Sequence, residues 1–450
     1  MKTIFKKSII LSLMLIGVSL FAQNRDLDNW RPADQRGVNV FEAPKDTVST
    51  FEKVKVRVGG QSTLQFQALD HENGVAPADQ TETNTLQEIG YNFNLATANL
   101  DLDVALAKGL RMHLRTYLSS RHHPEPYVKG GYFQIDNLDF IKEGFLSDLM
   151  KYTTVKVGHM ENNYGDAHFR RTDNAQSIYN PFVGNLIMDA FTTEVGAEVY
   201  YQRNGFIGMI GFSNGKLNQD VLKDANGKTG GAAFLAKIGY DKQLTDDFRF
   251  RLTGSVYTTG YVAGNYLYTA DRAGSRYYSV LSPEKYYDWR TQSLQNTSAT
   301  NTFRTGRFDP GYSNRITAVM FNPFVKYGGL EFFGTVELSQ GRSDSEDNNN
   351  DGLNNKDDNR STTQLAGEVI YRFGASEDFY LGARYNTVKS EQSFGDADIN
   401  RFQLSAGYFL TKNVLAKLEY VNQQYDGYPS NNVLYEGKFN GLMIEAAISF

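Results

Sequence analysis

The chain has 450 residues, no cysteine, and 46 Lys and Arg against 51 Asp and Glu, for a formal net charge of −5. So small a charge on so long a chain gives no basic footprint for a nucleic acid, and without cysteine no disulfide framework can hold an exported chain together. With 30 Phe and 28 Tyr but only 2 Trp and 10 Pro, the composition suits long strands that carry aromatic belts.

Lys2, Lys6 and Lys7 precede the apolar run SIILSLMLIGVSLFA, which ends on the small residue Ala22. This is the layout of a secretory signal, so residues 1–22 are expected to be removed, although Leu20 is bulkier than such sites prefer. The other reading, an N-terminal membrane anchor, is disfavoured because the run is short for a bilayer span and no cysteine can take a lipid. No other stretch is long and apolar enough for a spanning helix. The negative mean hydropathy would read as soluble, but in a membrane barrel lumen-facing and lipid-facing residues alternate and the average is polar. Residues 23–50 show neither helical nor strand period and are expected to form an exposed periplasmic extension.

From Lys55 onward, residues 51–450 read as runs with period-two alternation separated by turn residues. The runs are 55–69, 90–107, 109–120, 131–141, 152–160, 190–202, 205–213, 231–242, 247–260, 313–327, 329–340, 361–374, 378–390, 400–411, 413–425 and 437–450. That is about sixteen strands, an even number as bacterial barrels require. The connections alternate in length: 70–89, 161–189, 261–312 and 341–360 are long, whereas 108, 203–204, 328 and 412 are tight. Outer-membrane barrels show this asymmetry, with short periplasmic turns and long outer loops. The connection 142–151 is long enough for a short helix. The fold class is therefore all-β, a transmembrane antiparallel β-barrel.

Alternation also assigns faces. In 109–120, Leu110, Met112, Leu114 and Leu118 would face lipid and Arg111, His113, Arg115 and Tyr117 the lumen. In 247–260, Phe248, Phe250, Leu252 and Val256 point out and Arg249 and Arg251 point in. Leu100, Leu102, Val104 and Leu106 point out, with Asp101 and Asp103 inside. A polar, charged interior makes the barrel a water-filled channel.

The last strand, KFNGLMIEAAISF, places Leu442, Ile444, Ala446, Ile448 and Phe450 on one face. An alternating final strand that ends in Phe resembles the signal read by the outer-membrane barrel assembly machinery. The whole layout resembles bacterial porins of Gram-negative outer membranes, and the passage around 155–190 is similar to the porin O/P group, often called phosphate-selective porins. The resemblance implies an outer-membrane location, a homotrimer, and passive diffusion of small polar or anionic solutes along a basic ladder. In this chain acidic residues are interspersed along the presumed lumen, a departure from that ladder.

Four stretches bear on chemistry. The long connection after the fifth strand is the third outer loop and is expected to fold into the lumen and narrow it. Its Arg170 and Arg171, with Arg111, Arg115, Lys156, Arg249 and Arg251 on the wall, could bind carboxylate or phosphate transiently. Equally, these cations could pair with Asp166, Asp173, Asp101 or Asp103 and brace the loop. In 347–358, Asp347, Asn349, Asp351, Leu353 (through its carbonyl), Asn355 and Asp358 fall on calcium-loop positions, with Gly352 at the sharp turn. Asp358 stands where the pattern prefers Glu, so structural calcium competes with a plain solvated loop.

The third stretch, GFSNG at 211–215, matches a hydrolase elbow in letters but has no helical pattern after it. His122 and His123 are read as exposed. In the fourth, 261–312, Tyr261, Tyr266, Tyr268, Tyr277, Tyr278, Tyr286, Tyr287, Trp289 and Tyr312 either stack on sugars or, as favoured here, pack over the barrel mouth. The expected function is a porin and not an enzyme, with no required cofactor. The alternatives are a non-conducting structural or secretion-accessory barrel and, more remotely, an outer-membrane enzyme.

Overall fold

The computed structural model describes residues 27–46, 48–119, 126–171, 176–217, 221–223, 229–260, 262, 264–269, 274–288, 290–298, 301–343, 346 and 356–450. Strands β1 Lys55–Glu72, β2 Asn92–Ala107, β3 Leu110–Ser119, β4 Tyr127–Ile135, β5 Thr153–Glu161 and β6 Thr193–Arg203 are followed by β7 Phe206–Ser213, β8 Ala233–Gln243 and β9 Phe248–Thr259. After a small hairpin, β10 Lys285–Asp288 and β11 Ser293–Asn296, come β12 Arg315–Tyr327, β13 Leu330–Arg342, β14 Arg360–Phe373, β15 Phe379–Gln392, β16 Gly395–Thr411, β17 Val414–Asp426 and β18 Lys438–Ser449. All but the hairpin form one closed antiparallel barrel of sixteen strands, shut by pairing of β1 with β18.

The expected strands are there, with small shifts. The fourth, expected over 131–141, instead spans Tyr127–Ile135; the Asp136 amide adds one more bond in the same register, to the Gly109 carbonyl (2.7 Å), beside the start of β3. A four-residue helix, α1 Ser147–Met150, occupies the connection to β5. Between β6 and β7, Asn204 (φ 53°) and Gly205 (φ 89°) both take positive φ, the turn whose twist matches that of the flanking strands.

The outer surface is apolar: Leu100, Leu114, Phe212, Ile238, Leu252, Leu404 and Ile444 are exposed. Their neighbours in sequence, among them Asp101, His113, Arg251, Gln403 and Glu445, are buried inside. A closed ladder with an apolar exterior leaves no unpaired edge in lipid, the condition for strands to span a bilayer. Among the described residues no helix is long and apolar enough to cross a membrane.

The segment before β1 departs from expectation. It does not extend outside as an exposed arm: Leu27, Asn29, Asp34, Asn39 and Phe41 are buried, whereas Arg36, Pro44, Asp46 and Val48 to Thr50 are exposed. It lies inside the short-turn end of the barrel. Period analysis missed it because, apart from a single 3-10 turn at Gln35–Gly37, it has no regular structure and is held to the wall almost wholly by side chains.

Candidate functional site in the lumen

Interior side chains of a barrel stand on strands and are aimed by alternation, so whatever crosses the lumen has to be held by them. The connection between β5 and β6 does cross it. Near its start the Asp166 carboxylate accepts bonds from Arg251 Nε and Nη2 (2.8 Å each) on β9, Lys237 Nζ (3.0 Å) on β8 and Thr253 Oγ1 (2.7 Å). Further on, the Val183 amide donates to Glu419 (2.8 Å), Ile187 to Asn386 (2.6 Å) and Met188 to Gln364 (3.0 Å) on the far wall. Lys417 on β17 donates to the carbonyls of Ser177 (2.9 Å), Asn180 (3.2 Å) and Phe182 (3.1 Å). Wall side chains thus satisfy loop backbone groups, as burial of irregular chain requires. The third loop folds inward, as expected from its position.

A second connection, between β9 and β12, also enters. Its Tyr268 donates to Glu337 on β13 (2.9 Å), its Tyr277 to Glu419 (2.6 Å), and Arg276 pairs with Glu445 on β18. The Phe308 amide donates to the Ile187 carbonyl (2.7 Å), tying the two loops together. Gly184 sits where a Cβ would strike the Tyr277 ring, so the loops meet at backbone distance. Tyr268, Tyr277 and Tyr312 are buried, which is the packing role; Tyr261 and Trp289 lie outside the described residues.

Space remains along the β1 to β6 wall, as a cavity of about 190 Å³ bounded by the third loop and the N-terminal segment. Arg111, Arg115 and Lys156 line it, with Arg57, Lys129 and Tyr132. Arg111 is held by Asp103 (3.1 Å) and Gln134 (2.8 Å), and Arg115 by Asp101 (2.6 and 2.7 Å). Lys156 differs: among the described residues it has no carboxylate partner, and its ammonium lies 4.9 Å from the Tyr200 ring centre and 5.7 Å from that of Tyr132. Aromatic faces stabilise a cation without neutralising its charge. Lys156 therefore faces the cavity without an ion pair, opposite its register partner Glu198.

The other candidate cations lie elsewhere. Arg170 pairs with Glu368 (3.4 Å), Arg171 with Asp189 (2.5 Å), Arg249 with Asp241 (2.7 Å), and Arg251 with Asp166, Glu42 and Asp241. Their geometry is that of bracing, and none of Arg170, Arg171, Arg249 or Arg251 lines the cavity. Lys237, Lys417 and Glu419 escaped notice although their inward positions follow from alternation; Glu42 had no such signal. Burial pushes the Glu42 carboxyl up, but Arg251 and Lys237 outweigh it and hold it at about 2.

Of the calcium pattern, Asp347, Asn349, Asp351, Leu353 and Asn355 lie outside the described residues; Asp358 is buried. The described residues contain no group of metal-ligating side chains. Ser213 ends β7 and bonds Glu194 rather than a histidine. His122 and His123 lie outside the described residues.

No family model matches the chain, and no curated protein matches it in sequence. Among solved structures, an anion-selective porin from Comamonas acidovorans superposes with a TM-score of 0.51 at 9% identity, over 88% of this chain and 100% of that one. The fold is porin-like. The porin-like barrel is also similar to the outer-membrane channel DcaP of Acinetobacter baumannii (TM-score 0.49, 11% identity, 88% of this chain and 98% of that one). OmpT of Vibrio cholerae gives a TM-score of 0.49 at 10% identity, over 89% of this chain and 99% of that one. At these identities the likeness is one of fold.

Proposed function

We propose that this porin-like barrel is an outer-membrane channel for passive diffusion of small hydrophilic solutes, with a preference for anions. The observation that carries the reading is the polar cavity left between the third loop and the wall, inside a closed barrel with an apolar exterior. Its unpaired Lys156 and its ion-paired Arg111 and Arg115 present donors to a carboxylate or phosphate at close quarters. The short-turn end would face the periplasm, residues 1–22 would be removed on export, the final strand would be read by the assembly machinery, and three copies would associate in the membrane. Single-channel recording in planar bilayers, with reversal potentials in a salt gradient, tests the reading. Discrete openings with an anion-directed reversal potential are expected.

A second reading, a closed structural or secretion-accessory barrel, is favoured by one observation: two loops and the N-terminal segment together occupy much of the lumen. Silence of the purified, folded protein in bilayers would select it. Structural calcium in 347–358 is a separate proposal, tested by calorimetric titration of Ca²⁺ into wild type and Asp351→Ala.

A further inference from the structure

The N-terminal segment follows a path that neither its sequence nor the channel reading requires. It begins at β3, where the Asn29 carbonyl accepts from Arg111 (3.3 Å). Trp30 then lies against the Arg57 guanidinium of β1 (4.1 Å), and the Ala33 carbonyl accepts from Ser449 of β18. The Gln35 amide donates to Lys412 between β16 and β17 (2.8 Å), and its side chain to Asp378 between β14 and β15 (3.1 Å). Asn39 donates to Glu331 of β13 (2.5 Å) and its carbonyl accepts from Arg249 of β9 (3.0 Å). Glu42 pairs with Arg251 of β9 (2.8 Å) and faces Lys237 of β8 (3.6 Å). Lys45 reaches Asp136 (3.0 Å) and the Thr153 carbonyl (2.7 Å) at β4 and β5. There Asp46 meets Asn29 again, each backbone amide donating to the other's side chain (2.5 and 2.7 Å).

These contacts run in the order of the strands around the barrel. Residues 29–46 are therefore a ring laid against the inner wall at the short-turn end and closed on itself. Fully extended, such a length of chain spans at most about 60 Å, which as a circle is roughly 20 Å across before inward side chains narrow it further. The ring is also tied to the third loop. Arg31 donates to the Phe169 carbonyl (3.1 Å) and stacks on Tyr179 (3.7 Å), while the Tyr179 hydroxyl donates to the Pro32 carbonyl (2.5 Å). It thus forms the floor of the cavity whose side wall carries Lys156.

The attachment is of an unusual kind. Among the described residues, one backbone bond, Gln35 to Lys412, joins residues 29–46 to the barrel; everything else is made by side chains. No strand pairing has to break for the ring to leave, so barrel and ring are separable in a way that barrel and strand are not. Its contacts with the wall and the third loop are mostly polar, with apolar anchors at Phe41, packed on Phe324, Phe333 and Phe169, and at Val38.

We propose that residues 29–46 form a detachable collar that sets the size limit of the pore from the periplasmic side, as a second constriction in series with the third loop. The proposal rests on the channel reading. A protein lacking residues 29–46 is compared with wild type in planar bilayers and in liposome-swelling assays with sugars of graded size. Heat-modifiable gel migration and far-ultraviolet circular dichroism confirm that each barrel is folded. A full-length double variant, Asn29→Ala with Glu42→Gln, opens the ring without shortening the chain and carries the test where the deletion does not fold.

The collar predicts a conductance increase on the order of threefold in the deletion, with entry of sugars that wild type excludes. The double variant should fluctuate between the two levels. If wild type conducts and both folded variants match it in conductance and size limit, the collar proposal falls and the channel reading stands. If none of the three conducts, both fall. If wild type is silent and the variants conduct, the collar is a full plug and the channel reading holds for the opened state.

Discussion

Asn29 and Asp46 exchange hydrogen bonds in both directions, amide to side chain at 2.5 and 2.7 Å, and so close a ring within the barrel. Because the chain has no cysteine, this closure can be probed without background. Asn29→Cys with Asp46→Cys should form an intramolecular disulfide on mild oxidation, read as faster migration on non-reducing gels. Free thiols persisting in the folded, oxidised protein would show that the two residues are not neighbours in the membrane.

Asp166 holds two cations at once, Arg251 and Lys237, all three fully buried. Removing one partner of a buried ion cluster leaves uncompensated charge, at a cost of about 3 to 5 kcal/mol. Asp166→Ala should therefore lower the denaturant midpoint of the barrel strongly. Lys151→Ala, which breaks an exposed pair with Asp148, should leave it where it was. Equal midpoints for the two variants would mean that the third loop is not anchored at Asp166.

Lys156 lines the cavity without a carboxylate partner among the described residues, whereas Arg170 and Arg171 are paired with Glu368 and Asp189. Lys156→Glu should shift the reversal potential toward cations while leaving stability nearly unchanged. Arg170→Ala with Arg171→Ala should do the reverse, losing stability with little change in reversal potential. A cation shift in the arginine double variant alone would return selectivity to the loop.

Glu42 is held at about 2, below its ordinary value of 4.5, because Arg251 and Lys237 outweigh the burial that pushes it up. A carboxyl depressed in the folded state contributes stability above its ordinary value and loses it as pH falls through the depressed one. The collar should therefore loosen between about pH 4.5 and about pH 2. Pepsin cleavage within residues 29–46, followed by mass spectrometry, should rise steeply across that window in wild type. In Glu42→Gln it should be high throughout and flatter.

Much of the barrel was legible because strand alternation is a local property: Leu100 and Asp101, or Leu252 and Arg251, declare opposite faces by being adjacent. The same holds for pairs within one hairpin. Asp103 and His113 are register partners on β2 and β3, so their side-chain contact (2.9 Å) follows from counting along two strands. The β10–β11 hairpin was missed inside a long tyrosine-rich loop, since four-residue strands give too short a pattern to separate from loop.

By itself the sequence determined the strand number, the faces of the strands and the alternation of long and short connections, which rest on period and spacing; the inward fold of the third loop followed from its length and from its place in a layout that resembles porins. Only the tertiary structure decided which cations are spent on bracing and which remains free, because Arg251 has many possible carboxylate partners in sequence and meets Asp166, Glu42 and Asp241 through barrel closure. It alone also placed residues 27–46 inside. That segment has no period of its own, and bonds such as Asn39 to Glu331, 292 residues apart, exist only once the wall that presents them has closed.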